Sequence, residues 1–215
     1  MRKGLIFITS SGYDPDKGKH VKDPYLGNTP TFGGCMPNVR KQAQPGDSIF
    51  VISGKIQDHP QYIIGAFDVA EKIHANEAYQ RFPEHHLMRR TDGELTGNII
   101  VDGTGEPHFL DNHDNFEKRI ENYIVGKNPI VLSESAEIEK AREGTLEMLK
   151  TLFNKDGKMP RDIVGRMRHL NEEQVEKLKA WLKSLKTAET RAARAIRLEK
   201  ESRKAPQYRI QPILF

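Results

Sequence analysis

The sequence predicts an α+β fold: a small β-barrel or curved mixed sheet with short helices, followed by a helical C-terminal segment. Three observations predict it. Short β-branched apolar runs recur through the first two thirds of the chain, they are separated by Gly-, Pro- and Asp-rich turns and short amphipathic stretches, and beyond residue 134 the apolar spacing becomes helical. The chain has 215 residues, of which 36% are hydrophobic and 30% charged, enough apolar material for one domain plus an accessory segment. The expected organisation is therefore a domain over 1–134, a helical segment over 135–204 and an apolar tail over 205–215.

The elements follow in order. Residues 5–9, Leu-Ile-Phe-Ile-Thr, form the opening strand, and residues 10–34, dense in Gly, Pro, Asp and Asn, form a long loop. Structureless loops longer than about 15 residues are usually functional or disordered, so this one reads either as a lid or as a floppy excursion. Pro37 opens a short helix to Ala43, which Gln44-Pro45-Gly46-Asp47 stops. Residues 48–54 and 62–73 read as two strands paired with a long connection, followed by a short helix over 76–81 and strands over 98–101 and 130–132. A further helix is expected over 116–123, started by Asp111 or Asn112. Residues 136–153 and a stretch begun by Asn171, with a stripe of Val175, Leu178, Leu182 and Leu185, predict a helical hairpin. Residues 187–204 predict a basic helix.

Charge sharpens the functional reading. The net charge is +4, and residues 186–204 alone hold seven positive against three negative side chains. Within them Arg191, Arg194 and Arg197 recur at i, i+3, i+6 along one side of a helix, a row able to track a phosphate backbone. Its plain alternative is a solvated face partnered by Glu189, Glu199 and Glu201. Arg89 and Arg90, preceded by His85 and His86, form a second phosphate-facing candidate. No stretch approaches the ~18 apolar residues of a membrane span, and the apolar run after Lys3 is too short for a signal peptide, so a soluble cytoplasmic protein without a membrane partner is expected. A single cysteine, Cys35, excludes an internal disulfide framework.

The chemistry-bearing stretch is 29–72. Gly33, Gly34 and Gly54 are places where backbone can approach a planar ligand, and Asn38, Arg40, Ser53 and Lys55 supply donors beside them. A core helix and hairpin with no ligand is the competing reading. Cys35 reads either as a small buried hydrophobe or as a nucleophile ahead of Pro37, and the sequence places no histidine near it. His108, Asp111, His113 and Asp114 fall within seven residues but match no metal-ligand signature, so neither a metal nor a cofactor is expected.

Gly46-Asp47, the apolar strand 48–52, Ser53-Gly54 and then Ile63-Ile64-Gly65-Ala66-Phe67-Asp68-Val69 resemble the core of PUA-like folds, the superfamily that includes ASCH, EVE and YTH domains. Thr31-Phe32-Gly33-Gly34-Cys35-Met36-Pro37-Asn38-Val39-Arg40 with Gln44-Pro45-Gly46-Asp47 is closer still to the nucleotide modification associated domain families. The resemblance covers about 4–134 as a fold and 29–72 as motif. It implies a module that binds DNA or RNA and holds a base, in several branches a modified one, in a pocket. The implied pocket residues are Phe32, Gly33, Gly34, Cys35, Asn38, Arg40, Ser53, Gly54, Lys55, Phe67 and Asp68, with Tyr25 and Tyr62 as further stacking surfaces. EVE and YTH cages are rich in tryptophan, whereas the one tryptophan here, Trp181, lies in the helical segment. The alternatives are a nucleotide- or nucleobase-processing enzyme using Asp47, Asp68 or Asp114 as base or metal ligand, and a protein-interaction module, attached to a nucleic-acid modification or defence system, that binds its partner through the C-terminal helices and the apolar tail.

Overall fold

The computed structural model describes residues 2–13, 15, 21–56 and 59–186. It is an α+β protein built on one six-stranded mixed sheet. The strands are β1 (Arg2–Ile8), β2 (Thr31–Phe32), β3 (Ser48–Ile52), β4 (Ile63–Ile73), β7 (Tyr123–Val131) and β8 (Met167–Asn171), and a separate two-stranded ribbon pairs β5 (Met88–Arg89) with β6 (Leu95–Thr96). The sheet order is β2-β7-β4-β3-β1-β8, with β1 and β3 parallel and the other pairs antiparallel. β2 and β8 are its two edges. The sheet is open, so of the two expected architectures the mixed sheet is found and the closed barrel is not.

Residues 48–52 lie in the centre of this sheet and are buried throughout, which is why they read as a continuous apolar run without alternation. β4 and β7 are the long strands. Their pairing shifts register twice, and Asn128 adopts a left-handed conformation (φ 52°) in β7. The helices are α1 (Pro37–Gln42), α2 (Ala75–Arg81), α3 (Glu117–Ile120), α4 (Ser135–Phe153), α5 (Pro160–Val164) and α6 (Glu172–Leu185). The main core joins Leu5, Phe7, Phe50 and Ile63 of the sheet to Ile138 and Leu149 of α4 and to Leu178 and Leu182 of α6. A smaller second core gathers Ala78, Leu87, Ile99, Val101, Ile120 and Tyr123.

Four expectations change. The boundary expected at residue 134 falls inside one compact unit that extends to Leu185, because α4 and α6 bury their apolar stripes in the same core as the sheet. The expected helical hairpin is interrupted, since α5 and then β8 intervene and β8 pairs with β1 as an edge strand. Residues 98–101 make isolated bridges (Ile99 to His86, Val101 to Pro107) rather than a strand, and the expected helix 116–123 stops at Ile120 so that Tyr123 can begin β7. Asn171 does start α6: its Oδ1 accepts from the Gln174 amide at 2.9 Å, and Gln174 Oε1 accepts from the Asn171 amide at 3.0 Å. The basic row Arg191, Arg194 and Arg197 and the tail 205–215 lie outside the described residues. Among the described residues no helix is long and apolar enough to cross a membrane.

Candidate functional site

The segment from Lys22 to Arg40 includes the edge strand β2 and is fixed by buried polar side chains. Asp23 is the first. Its carboxylate accepts from the backbone amides of Gly33 (2.9 Å) and Cys35 and from Asn98 Nδ2 (3.1 Å). Asn98 Nδ2 also donates to Thr31 Oγ1 at 3.0 Å, and Asn98 Oδ1 accepts from the Tyr123 hydroxyl at 2.8 Å. Burial pushes the Asp23 carboxyl up from its ordinary value, while the Arg40 guanidinium and these hydrogen bonds oppose the rise.

Arg40 is the second anchor and is buried on α1. Its Nε donates to the Cys35 carbonyl (2.8 Å), its Nη1 to those of Arg119 (2.9 Å) and Asn122 (2.7 Å), and its Nη2 to that of Gly34 (3.4 Å). Burial lowers its pKa to about 10 against the pull of Asp23, which leaves it a cation at neutral pH. One guanidinium therefore ties the 34–35 backbone to the 119–122 segment, a task that uses its planar fork of donors. Arg119 adds a clamp from the other side, with Nη1 on the Gly34 carbonyl (2.7 Å) and Nε on that of Asp114 (2.7 Å).

This scaffold carries a reactive group to its rim. Cys35 is half-buried, and its Sγ lies 3.8 Å from His113 Nε2. The other ring nitrogen, Nδ1, lies 2.6 Å from Asp111 Oδ1. The Asp111 side chain is 4% exposed and the His113 side chain 32%, so the carboxylate sits inside and the imidazole reaches solvent. That geometry lets Nδ1 donate to the carboxylate, and in the neutral ring with that tautomer Nε2 is the nitrogen free to accept from the thiol. Burial and then the nearby Asp23 charge push the thiol up to about 12 against Arg119 and Arg40, so at rest it keeps its proton. The loop that supplies His113 also holds His108, whose ring stacks on that of Phe109 (4.7 Å), and Phe109 is 86% exposed.

The other expected site residues sort clearly. Phe32 and Phe67 are core: Phe32 stacks on Phe7 with ring centres 5.2 Å apart, and Phe67 packs against Gly126. Neither offers a face to a base, and Arg40 has its donors committed to carbonyls. Tyr62 is buried too, and its hydroxyl donates to the Tyr13 carbonyl. A methyl group on Gly33 would meet the Asn98 carbonyl at 2.3 Å, and on Gly54 the Ser11 backbone at 2.7 Å, so these glycines admit neighbouring protein and not a ligand. Ser53 Oγ accepts from the Tyr62 amide at the far end of β3. Asp68 is engaged by Ser48 Oγ (2.7 Å), Lys179 Nζ (2.8 Å) and Asn128 Nδ2 (3.1 Å). Asn38, Lys55, Arg89 and Arg90 are exposed; Arg89 donates to the Gly93 carbonyl and Arg90 pairs with Asp92 at 3.2 Å. Tyr25 is exposed and rests on His85, ring centres 4.6 Å apart.

Of the expected pocket, then, Gly33, Gly34, Cys35 and Arg40 come together, joined by Asp23, Asn98, Asp111, His113, Arg119 and Tyr123. Cys35 and His113 are 78 residues apart, so only the tertiary fold reveals the pair. Among the described residues no group of three His, Cys, Asp or Glu side chains is arranged to hold a metal ion. Comparison with family models, characterised proteins and solved structures finds no match.

Proposed function

We propose that this chain is a PUA-like module that binds a nucleotide or a base of DNA or RNA, on the face where residues 33–35 meet the loop 108–114. One observation supports this above the others: the segment that carries the family resemblance, 31–40, is the one whose backbone Asp23 and Arg40 fix beside that loop. The loop presents the exposed ring of Phe109, and Arg119 and the exposed Lys118 follow it. An exposed aromatic ring, on a segment that cations follow in the chain, suits stacking of an unpaired base, each such stack being worth about 1–3 kcal/mol. Phe109 thus takes the stacking role expected of Phe32 and Phe67, both of which are committed to the core.

The test is a titration of the purified protein with single- and double-stranded oligonucleotides, with and without modified bases, at two salt concentrations. Saturable binding that weakens as salt rises is expected. Phe109→Ala should weaken it about tenfold or more at fixed salt, whereas Lys118→Ala should mainly reduce the salt slope by about one. Absence of saturable binding, or equal affinity for the native chain and Phe109→Ala, would reject the reading.

A further inference from the structure

The thiol of Cys35 lies in an arrangement that its packing does not require. A buried structural thiol needs apolar neighbours, and nothing in that role calls for an imidazole whose Nε2 faces the sulfur and whose other nitrogen is held by a carboxylate. Here the three groups stand in line: Cys35 Sγ to His113 Nε2 at 3.8 Å, and His113 Nδ1 to Asp111 Oδ1 at 2.6 Å. They come from two separate segments joined through the Arg40 and Arg119 clamps. The backbone on both sides of the thiol is fixed as well. The Cys35 amide is held by Asp23, the Cys35 carbonyl by Arg40 and the Gly34 carbonyl by Arg119, and Met36 is locked in a left-handed conformation (φ 49°) before Pro37. Such fixation holds a nucleophile in one position relative to its base.

We propose that Cys35, His113 and Asp111 form a nucleophilic site that acts on acyl carbon, with carboxylic esters or amides as the substrate class and water as the co-reactant. The two side chains that would touch substrate, Cys35 and His113, both reach solvent, while Asp111 behind them is enclosed. His113 Nε2 takes the thiol proton as Sγ bonds to the carbonyl carbon, and the carbonyl π pair moves onto oxygen. Arg119 places positive charge near the same sulfur, and among the described residues no acceptor engages its Nη2, so donors remain for the oxygen that gains charge. Collapse of the adduct breaks the bond to the alcohol or amine, which leaves with the proton from His113. Water then attacks the thioester, its proton passing through His113 back to the departing sulfur, and a carboxylic acid is released. Asp111 is a positioning residue: it holds the ring tautomer in which Nε2 is free to accept.

The proposal goes beyond nucleic-acid binding and does not rest on it. Because Cys35 is the only cysteine, thiol chemistry in this chain reports on this site without background. The experiment incubates the full chain with p-nitrophenyl acetate, follows nitrophenolate release, and locates the acetyl group by peptide mass spectrometry. Acetylated Cys35 with continued turnover is expected. His113→Ala and, as a second check on folding, His113→Asn should slow acetylation at least about 100-fold. Asp111→Asn should lower kcat with little change in KM, an outcome that a purely structural role would not produce. Cys35→Ala should abolish the thioester, and oligonucleotide affinity is measured independently on the native chain, so failure of this inference and failure of the binding function are read separately. No acetyl group on Cys35, or equal acetylation rates in the native chain and both His113 variants, would overturn it.

Discussion

Two regions of this molecule are held together by opposite means. Beneath α4 and α6, the β1, β3 and β4 strands contribute Ile6, Phe50, Ile52 and Ile63 to a core shared with Ile138, Leu149, Leu178 and Leu182, where burial of apolar side chains dominates. At the other end of α1, the backbone around Gly33, Gly34 and Cys35 is held by Asp23, Arg40, Asn98, Arg119 and Tyr123, and the interactions are directional. Apolar packing tolerates a change of shape at constant volume, because dispersion and burial are nondirectional. A buried polar network does not, because each lost partner leaves a desolvated group behind. The region built by the less tolerant means is the one that carries Cys35 and His113, as expected where atoms must be held to within a fraction of an ångström.

Two substitutions that both look conservative expose this contrast most strongly. Leu178→Met keeps volume and apolarity and should cost less than about 1.5 kcal/mol. Arg40→Lys keeps the charge but loses the fork, and an ammonium cannot reach the carbonyls of Gly34, Cys35, Arg119 and Asn122 together. It should cost about 3 kcal/mol or more, since each buried carbonyl left unpaired costs about 1–3 kcal/mol. Urea unfolding of the two variants measures both values. Equal losses would erase the distinction between the regions.

The same contrast decides what could be read from the sequence. The central strands 48–52 and 63–73 and the helices α1, α2, α4 and α6 were legible, because burial leaves periodic apolar runs and because Pro37 and Asn171 mark helix starts. β8 was not: Met-Arg-His-Leu-Asn has one buried apolar residue, and its place beside β1 is decided by pairing at a sheet edge. The site was half legible. The motif drew attention to residues 33–35 and to Arg40, but the type of residue does not say whether a guanidinium will face a ligand or four carbonyls. Asp23 lay in a segment that reads as loop, and Asp111 and His113 read as a helix start or a weak metal cluster. Phe32 and Phe67 illustrate the opposite error, since an aromatic residue suits a stacking platform and a sheet core equally well.

Asp68 lies between the two regimes, a polar group on the sheet joined to α6. Burial alone would raise its pKa, but the hydrogen bonds from Lys179, Ser48 and Asn128 hold it below the ordinary carboxylate value. A carboxyl with a depressed folded-state pKa contributes stability that is fully present above its unfolded value of 3.8 and is lost as pH falls through the folded value. Asp68→Asn should therefore lower stability at pH 7 by about 1 kcal/mol, with the difference from the native chain closing below pH 3.8. Thermal unfolding of both proteins across this range measures it. A difference that stays constant with pH would mean that Asp68 acts through packing and belongs with the apolar region.

The smallest effect is expected where polar partners are not buried at all. Arg81 on α2 bridges Glu71 of β4 and Glu77 one turn back, with Nη1 to Glu77 Oε1 at 2.9 Å, and all three side chains are open to solvent. By count of charged contacts this cluster rivals the Asp68 site. Water solvates the separated charges almost as well as they solvate each other, and holding three long side chains in one geometry costs rotamer entropy. Arg81→Ala should accordingly leave the urea midpoint within experimental scatter, and whatever shift remains should vanish in high salt, where exposed pairs are screened. A shift as large as that of Asp68→Asn, persisting in salt, would show that enclosure is not what separates the costly polar groups of this fold from the dispensable ones. The contrast between the two regions would then have to rest on the number of partners a charged group holds.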